Sequence, residues 1–162
     1  MAAGIIDLCD QVAALIRSAW NPSGDDSVER IYQAPIAPSE LNNLVGRKVF
    51  VFPGRKLHLG AADRGSNRLN WSVGILAVER CTQTGNSGLP TTDWMDERTE
   101  WMEQTVEKTV NFDGRDGNDL EFDGRTLQTL SIETEIYDVD YLDEAKLFWS
   151  SMEVVFDEVA EV

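Results

Sequence analysis

Two apolar runs in the middle of the chain decide the fold: RKVFVFP at residues 47–53 and WSVGILAVER at residues 71–80. Both are rich in β-branched and aromatic side chains, which favour strands. In the second run apolar residues fall on both faces, which is typical of a strand covered on both sides. Residues 55–70 between them have few apolar side chains and contain Gly60, Gly65 and Asn67. We therefore predict two central strands joined by a flexible hairpin or exposed loop at 55–70.

Two longer segments have the period of amphipathic helices. In residues 4–20 apolar side chains recur at steps of three and four, and Asn21-Pro22 ends the pattern. Residues 93–110 have acidic residues in the first turn, where they suit the positive end of a helix dipole. Tryptophan and methionine form the inner stripe of this second segment, and glutamates form its outer face. Both segments are predicted to be helices that pack against a core.

Shorter patterns complete a single domain over residues 1–162. Alternating apolar residues predict strands at 28–33, 129–137 and 152–159, and short helices are expected at 39–45 and within 138–150. The order is helix, strands, helix, strands. This order favours an α+β fold of two layers, a mostly antiparallel sheet backed by two main helices.

Composition excludes several classes of protein. The chain has 162 residues, of which 42% are hydrophobic and 27% charged, a balance typical of globular proteins rather than disordered ones. No stretch approaches the ~20 apolar residues of a membrane span, and the acidic N-terminal segment does not read as a signal peptide. Cys9 and Cys81 lie far apart in the sequence and are expected to be reduced thiols.

Charge is distributed unevenly along the chain. Residues 1–80 hold nine basic and eight acidic residues, net +1, whereas residues 81–162 hold five basic and 21 acidic residues, net -16, for a total of -15. Oppositely charged faces suit head-to-tail self-association, although an ordinary solvated acidic surface is the alternative. The candidate subunit or partner contacts are the basic residues Arg47, Lys48, Arg55, Lys56, Arg64 and Arg68.

The sequence contains no recognisable catalytic motif. His58 is the only histidine, so any Ser-His-Asp or Cys-His arrangement must use it. Phosphate-binding glycine motifs are absent from the sequence. We therefore predict that the protein is not an enzyme and that it has no catalytic residues and no cofactor.

A metal site is not predicted either. Residues 119–124 (DLEFDG) match the first half of a calcium loop, but position twelve would be Leu130, where a bidentate Glu is needed. We interpret residues 111–125 as a solvated acidic loop. The many carboxylates leave a metal-dependent hydrolase open as a lesser alternative.

Six segments resemble, in their order, the tail-terminator and tail-completion proteins of long-tailed bacteriophages. The resemblance covers most of the chain and lies in the order and general residue pattern of the segments, not in a catalytic motif. Residues 111–125 have no counterpart. The segments are GIIDLCDQVAALIRSAW (4–20), IYQAP (31–35), SELNNLVGRKVFVFP (39–53), RLNWSVGILAVER (68–80), DWMDERTEWMEQTVEKTV (93–110) and LFWSSMEVVF (147–156).

The resemblance implies a structural role at the phage head–tail junction. Such proteins are small α+β subunits that form a ring, commonly of six, which ends the tail tube and docks to the head connector without catalysis. The implied partners are other copies of the chain, the tail tube protein and the connector or neck protein. The implied location is the virion, after synthesis in the host cytoplasm.

An acidic channel would let DNA pass without binding tightly, because like charges repel. The candidate channel-facing residues are Glu97, Glu100, Glu103 and Glu107. Two other roles remain open: a head-closure or neck protein of the same particle, and an acidic module that mimics DNA and binds a basic enzyme through residues 93–144.

Overall fold

The computed structural model describes residues 4–34, 44–59, 68–86, 88–115, 117–140, 142 and 146–158. For residues 56–59, 68 and 69 it describes the backbone only. Two helices and six strands occur in this part of the chain. In order they are α1 (Ile5–Trp20), β1 (Ser27–Arg30), β2 (Arg47–Leu59), β3 (Arg68–Arg80), α2 (Thr92–Trp101, continued by a π-helical stretch Met102–Glu107), β4 (Leu120–Phe122), β5 (Arg125–Glu135) and β6 (Leu147–Glu158).

The strands form one mixed sheet in the order β1-β2-β3-β6-β5-β4. Only the β1–β2 pair is parallel among these strands; the others are antiparallel. The predicted α+β class is therefore confirmed, and the sheet is mixed, with one parallel pair. The parallel pair arises because the chain leaves β1 at Arg30 and returns at Arg47, a connection long enough to re-enter at the same end.

In its described part, the segment 55–70, predicted as a hairpin or an exposed loop, is the paired end of a hairpin. β2 continues to Leu59 and β3 begins at Arg68, and the two strands pair from Lys56 opposite Trp71 to Leu59 opposite Arg68. The pairing is irregular between Pro53 and Lys56, where proline lacks the N–H that a regular ladder uses. Ladder hydrogen bonds come from the backbone, so a segment poor in apolar side chains can still extend a hairpin. Residues 60–67 and the predicted helical residues 39–43 lie outside the described part.

The acidic stretch 111–125 is partly strand rather than loop. Leu120 and Phe122 are buried in β4, and Asp123 and Gly124 turn the chain with φ of 50° and 72° into β5. Asp-Gly favours the tight hairpin turn in which both central residues have positive φ. The ring of Phe122 meets Trp71 edge-to-face, with centroids 5.7 Å apart. This apolar contact holds the hairpin on the sheet.

Both helices pack on the same face of the sheet and form one core with it. The buried stripe of α1 and the buried residues of α2 meet β2, β3 and β6 in a single apolar cluster. Trp20 at the end of α1 contacts Trp101 at the end of α2 edge-to-face at 5.1 Å. The two predicted helices are thus confirmed as core-facing elements.

The opposite face of the sheet divides into two parts. Near one end Phe50, Leu76, Val78, Leu147 and Trp149 form a second apolar cluster with Leu44. Towards the other end the same face carries glycine, serine and glutamate on β2, β3, β6 and β5, and it opens to solvent as a trough. This second part positions the surface described below.

Candidate functional site

The uneven distribution of charge along the sequence is also found across the sheet, because strands of similar charge are neighbours in the sheet order. β1, β2 and β3 are contiguous and carry seven basic residues and the two acids Glu29 and Glu79. β6, β5 and β4 are contiguous and carry one basic residue, Arg125, and six acidic residues. One half of the sheet is therefore basic and the other half acidic.

Four charged side chains join the sheet to α2. The Nε of Arg47 on β2 lies 3.3 Å from Oε1 of Glu79 on β3, and its Nη2 lies 3.0 Å from Oε2 of Glu97. Arg98 donates from Nε to the other oxygen of Glu79 and lies 2.8 Å from Glu97 through Nη1. Each carboxylate is thus shared by both guanidinium groups. Removing one member of an ion-pair network with little solvent exposure strongly destabilises the fold, because a charge is left without its partner.

Aromatic rings cover the two arginines of this network. The Arg47 guanidinium lies 4.4 Å from the ring centroid of Trp101, and the Arg98 guanidinium lies 4.1 Å from that of Trp94. Both distances are within the range of cation–π attraction. Arg47 was predicted to contact a partner, but its side chain is only 10% exposed and is bound within its own chain. Arg47 is therefore a structural residue and not a free cation.

Of the other predicted contact residues, the structure describes the side chains of Lys48 and Arg55. The Lys48 Nζ donates to the backbone carbonyl of Asp25, and Arg55 is exposed beside the irregularity in β2. Lys56 and Arg68 lie in the paired end of the β2–β3 hairpin, where the structure describes their backbone. Arg64 lies outside the described residues. Among the predicted contact residues, Arg55 at the hairpin end is therefore a basic residue whose side chain faces solvent.

The predicted acidic face of α2 also divides. Glu97 belongs to the arginine network, although its side chain is 56% exposed. Glu100 and Glu103 are exposed and Glu107 is partly buried. Glu103 and Glu107 line a cleft of about 240 Å³ between this helix and residues 132–136. The four carboxylates therefore do not form one uniform surface.

An acidic trough lies on the face of the sheet away from the helices. It has a volume of about 490 Å³ and is lined by residues from β2, β3, β6 and β5. Glu133 on β5 lies directly opposite Glu153 on β6, and Glu135 follows two residues later on the same face. All three glutamates are exposed. Like charges in directly opposite positions destabilise a sheet, so a cationic neighbour would relieve this pair.

Glycines allow close packing on the other side of the trough. A Cβ at Gly74 would lie 2.1 Å from the ring of Phe52, and one at Gly54 would lie 2.4 Å from Oγ of Ser72. Ser72 is 5% exposed, and its hydroxyl, which lies against the trough, has no hydrogen-bond partner within the described part of the chain. A buried hydroxyl without a partner costs free energy. The trough therefore contains a polar group able to accept or donate one further bond.

Sequence reasoning missed the trough although its signals were present. The alternation in SIETEIY placed Glu133 and Glu135 on one face of a strand, and the alternation in MEVVF placed Glu153 on one face of another. No pattern in the sequence indicates that these two strands are neighbours in the sheet. The site depends on strand pairing, which is a long-range property.

One thiol, that of Cys9, and part of the acidic loop are engaged internally. Cys9 is buried in α1, and burial, helped by the Asp10 carboxylate, raises the pKa of its thiol to about 12. Asp113 accepts hydrogen bonds from the backbone of Arg115 at 3.0 Å and from the amide of Asn118 at 3.1 Å, and these bonds lower its pKa. Among the described residues no three His, Cys, Asp or Glu side chains are placed to hold a metal ion. The side chain of His58 is outside the described set.

The chain was compared with known proteins. No protein-family model matches it, and no curated protein shows significant sequence similarity to it. Within the described ranges, neither helix is long and apolar enough to cross a membrane.

Proposed function

We propose that the protein is a structural subunit of the phage head–tail junction, where copies form a ring that ends the tail tube and docks to the head connector. The observation that carries the proposal is the division of the sheet into a basic half, β1 to β3, and an acidic half, β6 to β4. A ring requires two different, complementary surfaces on each subunit, because each copy contacts its neighbours head to tail. Opposite charges on the two halves would supply that complementarity and fix the register.

The order of sequence segments supports the particular kind of ring. The opening helix, the two central strands and the acidic second helix follow one another as in tail-terminator proteins. The fold also supplies a rigid support, since both helices and the sheet share one core. The net charge of -15 further suits a subunit that lets DNA pass.

Self-assembly is the direct test of this proposal. Size-exclusion chromatography with light scattering, at 50 mM and 500 mM NaCl, measures the molar mass of the purified protein. We expect a multiple of the chain mass, six for a hexamer, that falls as salt screens the charged contacts. Negative-stain micrographs should show rings with a central hole. A monomer at every salt and protein concentration, with tail tubes added as a template, would overturn the proposal.

The acidic channel is tested separately with a triple variant, Glu100→Gln, Glu103→Gln and Glu107→Gln, which leaves the Glu97 network intact. We expect its rings to retain DNA in a gel-shift experiment under conditions where wild-type rings do not, because the repulsion is reduced. The matched control neutralises three carboxylates elsewhere: Glu29→Gln, Glu121→Gln and Asp123→Asn. Equal DNA retention by both triple variants would contradict a channel position for α2.

A further inference from the structure

We infer that the acidic trough of one subunit binds the basic end of the β2–β3 hairpin of a second copy of the same chain. This inference rests on the proposed self-assembly and names its contact. The trough supplies Glu133, Glu135 and Glu153, and the hairpin end supplies Arg55, Lys56 and Arg68. The two surfaces have opposite charge: the three glutamates lie on β5 and β6, and the three basic residues lie on β2 and β3.

The first argument concerns the trough itself. Glu133 and Glu153 face each other across β5 and β6 with both carboxylates exposed, which leaves two like charges side by side. The Ser72 hydroxyl at the trough is at least nine-tenths buried and has no partner among the residues that the structure describes. A cationic group that can also hydrogen-bond satisfies both features, and arginine and lysine carry such groups.

The second argument concerns the hairpin. β1 pairs with β2 only as far as Val51, and β6 pairs with β3 only from Asn70 onward. Residues Leu57–Leu59 therefore pair only with the start of β3 in the described structure. A two-stranded ribbon is marginally stable by itself. Docking against a second surface would stabilise this two-stranded end.

The third argument concerns which molecule supplies the cation. Arg55 is exposed and makes no ion pair with any described side chain. It directly follows Gly54, which forms part of the trough on the side of β2, whereas the glutamates lie across the sheet on β5 and β6. The hairpin end of a second copy can instead reach the trough from solvent. The trough of that second copy then binds the hairpin end of a third copy, and so on. Heterologous contacts of this kind form a ring when the rotation between successive copies closes.

The experiment combines two variants that each remove one side of the contact. The trough variant is Glu133→Lys with Glu153→Lys, and the hairpin variant is Arg55→Glu with Lys56→Glu. We expect each to be monomeric by light scattering. Their 1:1 mixture should assemble, because an intact hairpin then meets an intact trough and the two charge-reversed surfaces are again complementary. Assembly at the wild-type molar mass by the trough variant would overturn the inference, as would a mixture that stays monomeric.

Controls separate loss of contact from loss of folding. Asp96→Lys and Lys108→Glu reverse exposed charges on the helix side and should leave assembly unchanged. The milder variant Glu133→Gln with Glu153→Gln relieves the like-charge pair, so it should fold as the wild type does and still assemble at least tenfold more weakly. Circular dichroism and thermal unfolding verify folding for each variant.

The outcomes also distinguish this inference from the proposed function. A wild-type protein that never assembles overturns the proposed self-assembly. A wild type that assembles together with fully assembling trough and hairpin variants overturns only the trough contact, and leaves the ring to form through another surface.

Discussion

Arg47 and Glu79 lie directly opposite each other on β2 and β3, with Nε and Oε1 3.3 Å apart, and Glu79 is shared with Arg98 from α2. This relationship fastens the second helix to the two central strands. It also explains why the first basic residue of the central strand is unavailable to a partner, since both of its guanidinium edges and its aromatic stacking surface are used internally.

Removing the shared carboxylate should destabilise the fold. Glu79→Ala leaves the Arg47 and Arg98 guanidinium groups close together with only the exposed Glu97 as a shared anion. We expect the free energy of unfolding to fall by about 3 kcal/mol, as measured by denaturant unfolding followed by tryptophan fluorescence. The control Glu100→Ala, on the exposed side of α2, should stay within about 0.5 kcal/mol of wild type. A loss no larger than that of the control would show that the network contributes little.

Gly46 should be intolerant of a side chain. Its φ is +79°, and a Cβ would lie 2.6 Å from the backbone oxygen of Asp25. Gly46→Ala combines left-handed backbone strain with a backbone clash, so we expect a loss of about 3 kcal/mol in unfolding free energy. Gly88 has a φ of +78° with nothing near its Cβ position, so Gly88→Ala should cost about 1 kcal/mol. Equal losses for the two variants in chemical denaturation would rule out the clash.

Thr91 should contribute as an N-cap of α2. Its side-chain oxygen accepts a hydrogen bond from the backbone N–H of Trp94 at 3.3 Å. We expect Thr91→Ala to lower the unfolding free energy by about 1 kcal/mol. Thr92→Ala, one residue later and exposed, is the matched control and should change it by less than about 0.5 kcal/mol. Thermal unfolding measures the stability of both variants. A larger loss for Thr92→Ala than for Thr91→Ala would argue against the role of Thr91 as the N-cap.

Cys9 should make the stability depend on alkaline pH. Its pKa is raised from 9.0 to about 12 in the folded chain, so the unfolded chain releases this proton first as pH rises. The contribution of Cys9 to the unfolding free energy is therefore complete below pH 9. It is lost as the pH rises towards 12, at up to about 1.4 kcal/mol per pH unit. Denaturant unfolding at several pH values measures the slope, and Cys9→Ala should flatten it.

The same burial predicts selective thiol chemistry. In the folded protein at pH 8, Ellman's reagent should titrate Cys81, which is partly exposed, and should reach Cys9 only after denaturation. Two reactive thiols in the native protein, or an alkaline slope unchanged by Cys9→Ala, would contradict the buried position of this residue.

The sequence by itself determined the elements whose apolar pattern is local. The stripe of α1, the alternation in β3 and the acidic first turn of α2 all act over a few residues, so the helices and central strands were predictable. So were the absence of a recognisable catalytic motif and the division of charge between the two halves of the chain. The strand ends were less predictable, because backbone pairing extended β2 and β3 through a segment with few apolar side chains.

Only the tertiary structure decided which residues meet. The order β1-β2-β3-β6-β5-β4 put β5 beside β6 and thereby assembled Glu133, Glu135 and Glu153 into one trough with Ser72. It also brought Arg47 to Glu79 and α2, and so withdrew a predicted contact residue into the interior. The physical reason is that strand pairing and helix docking join residues far apart in sequence, whereas hydrophobic period and turn chemistry act only between near neighbours.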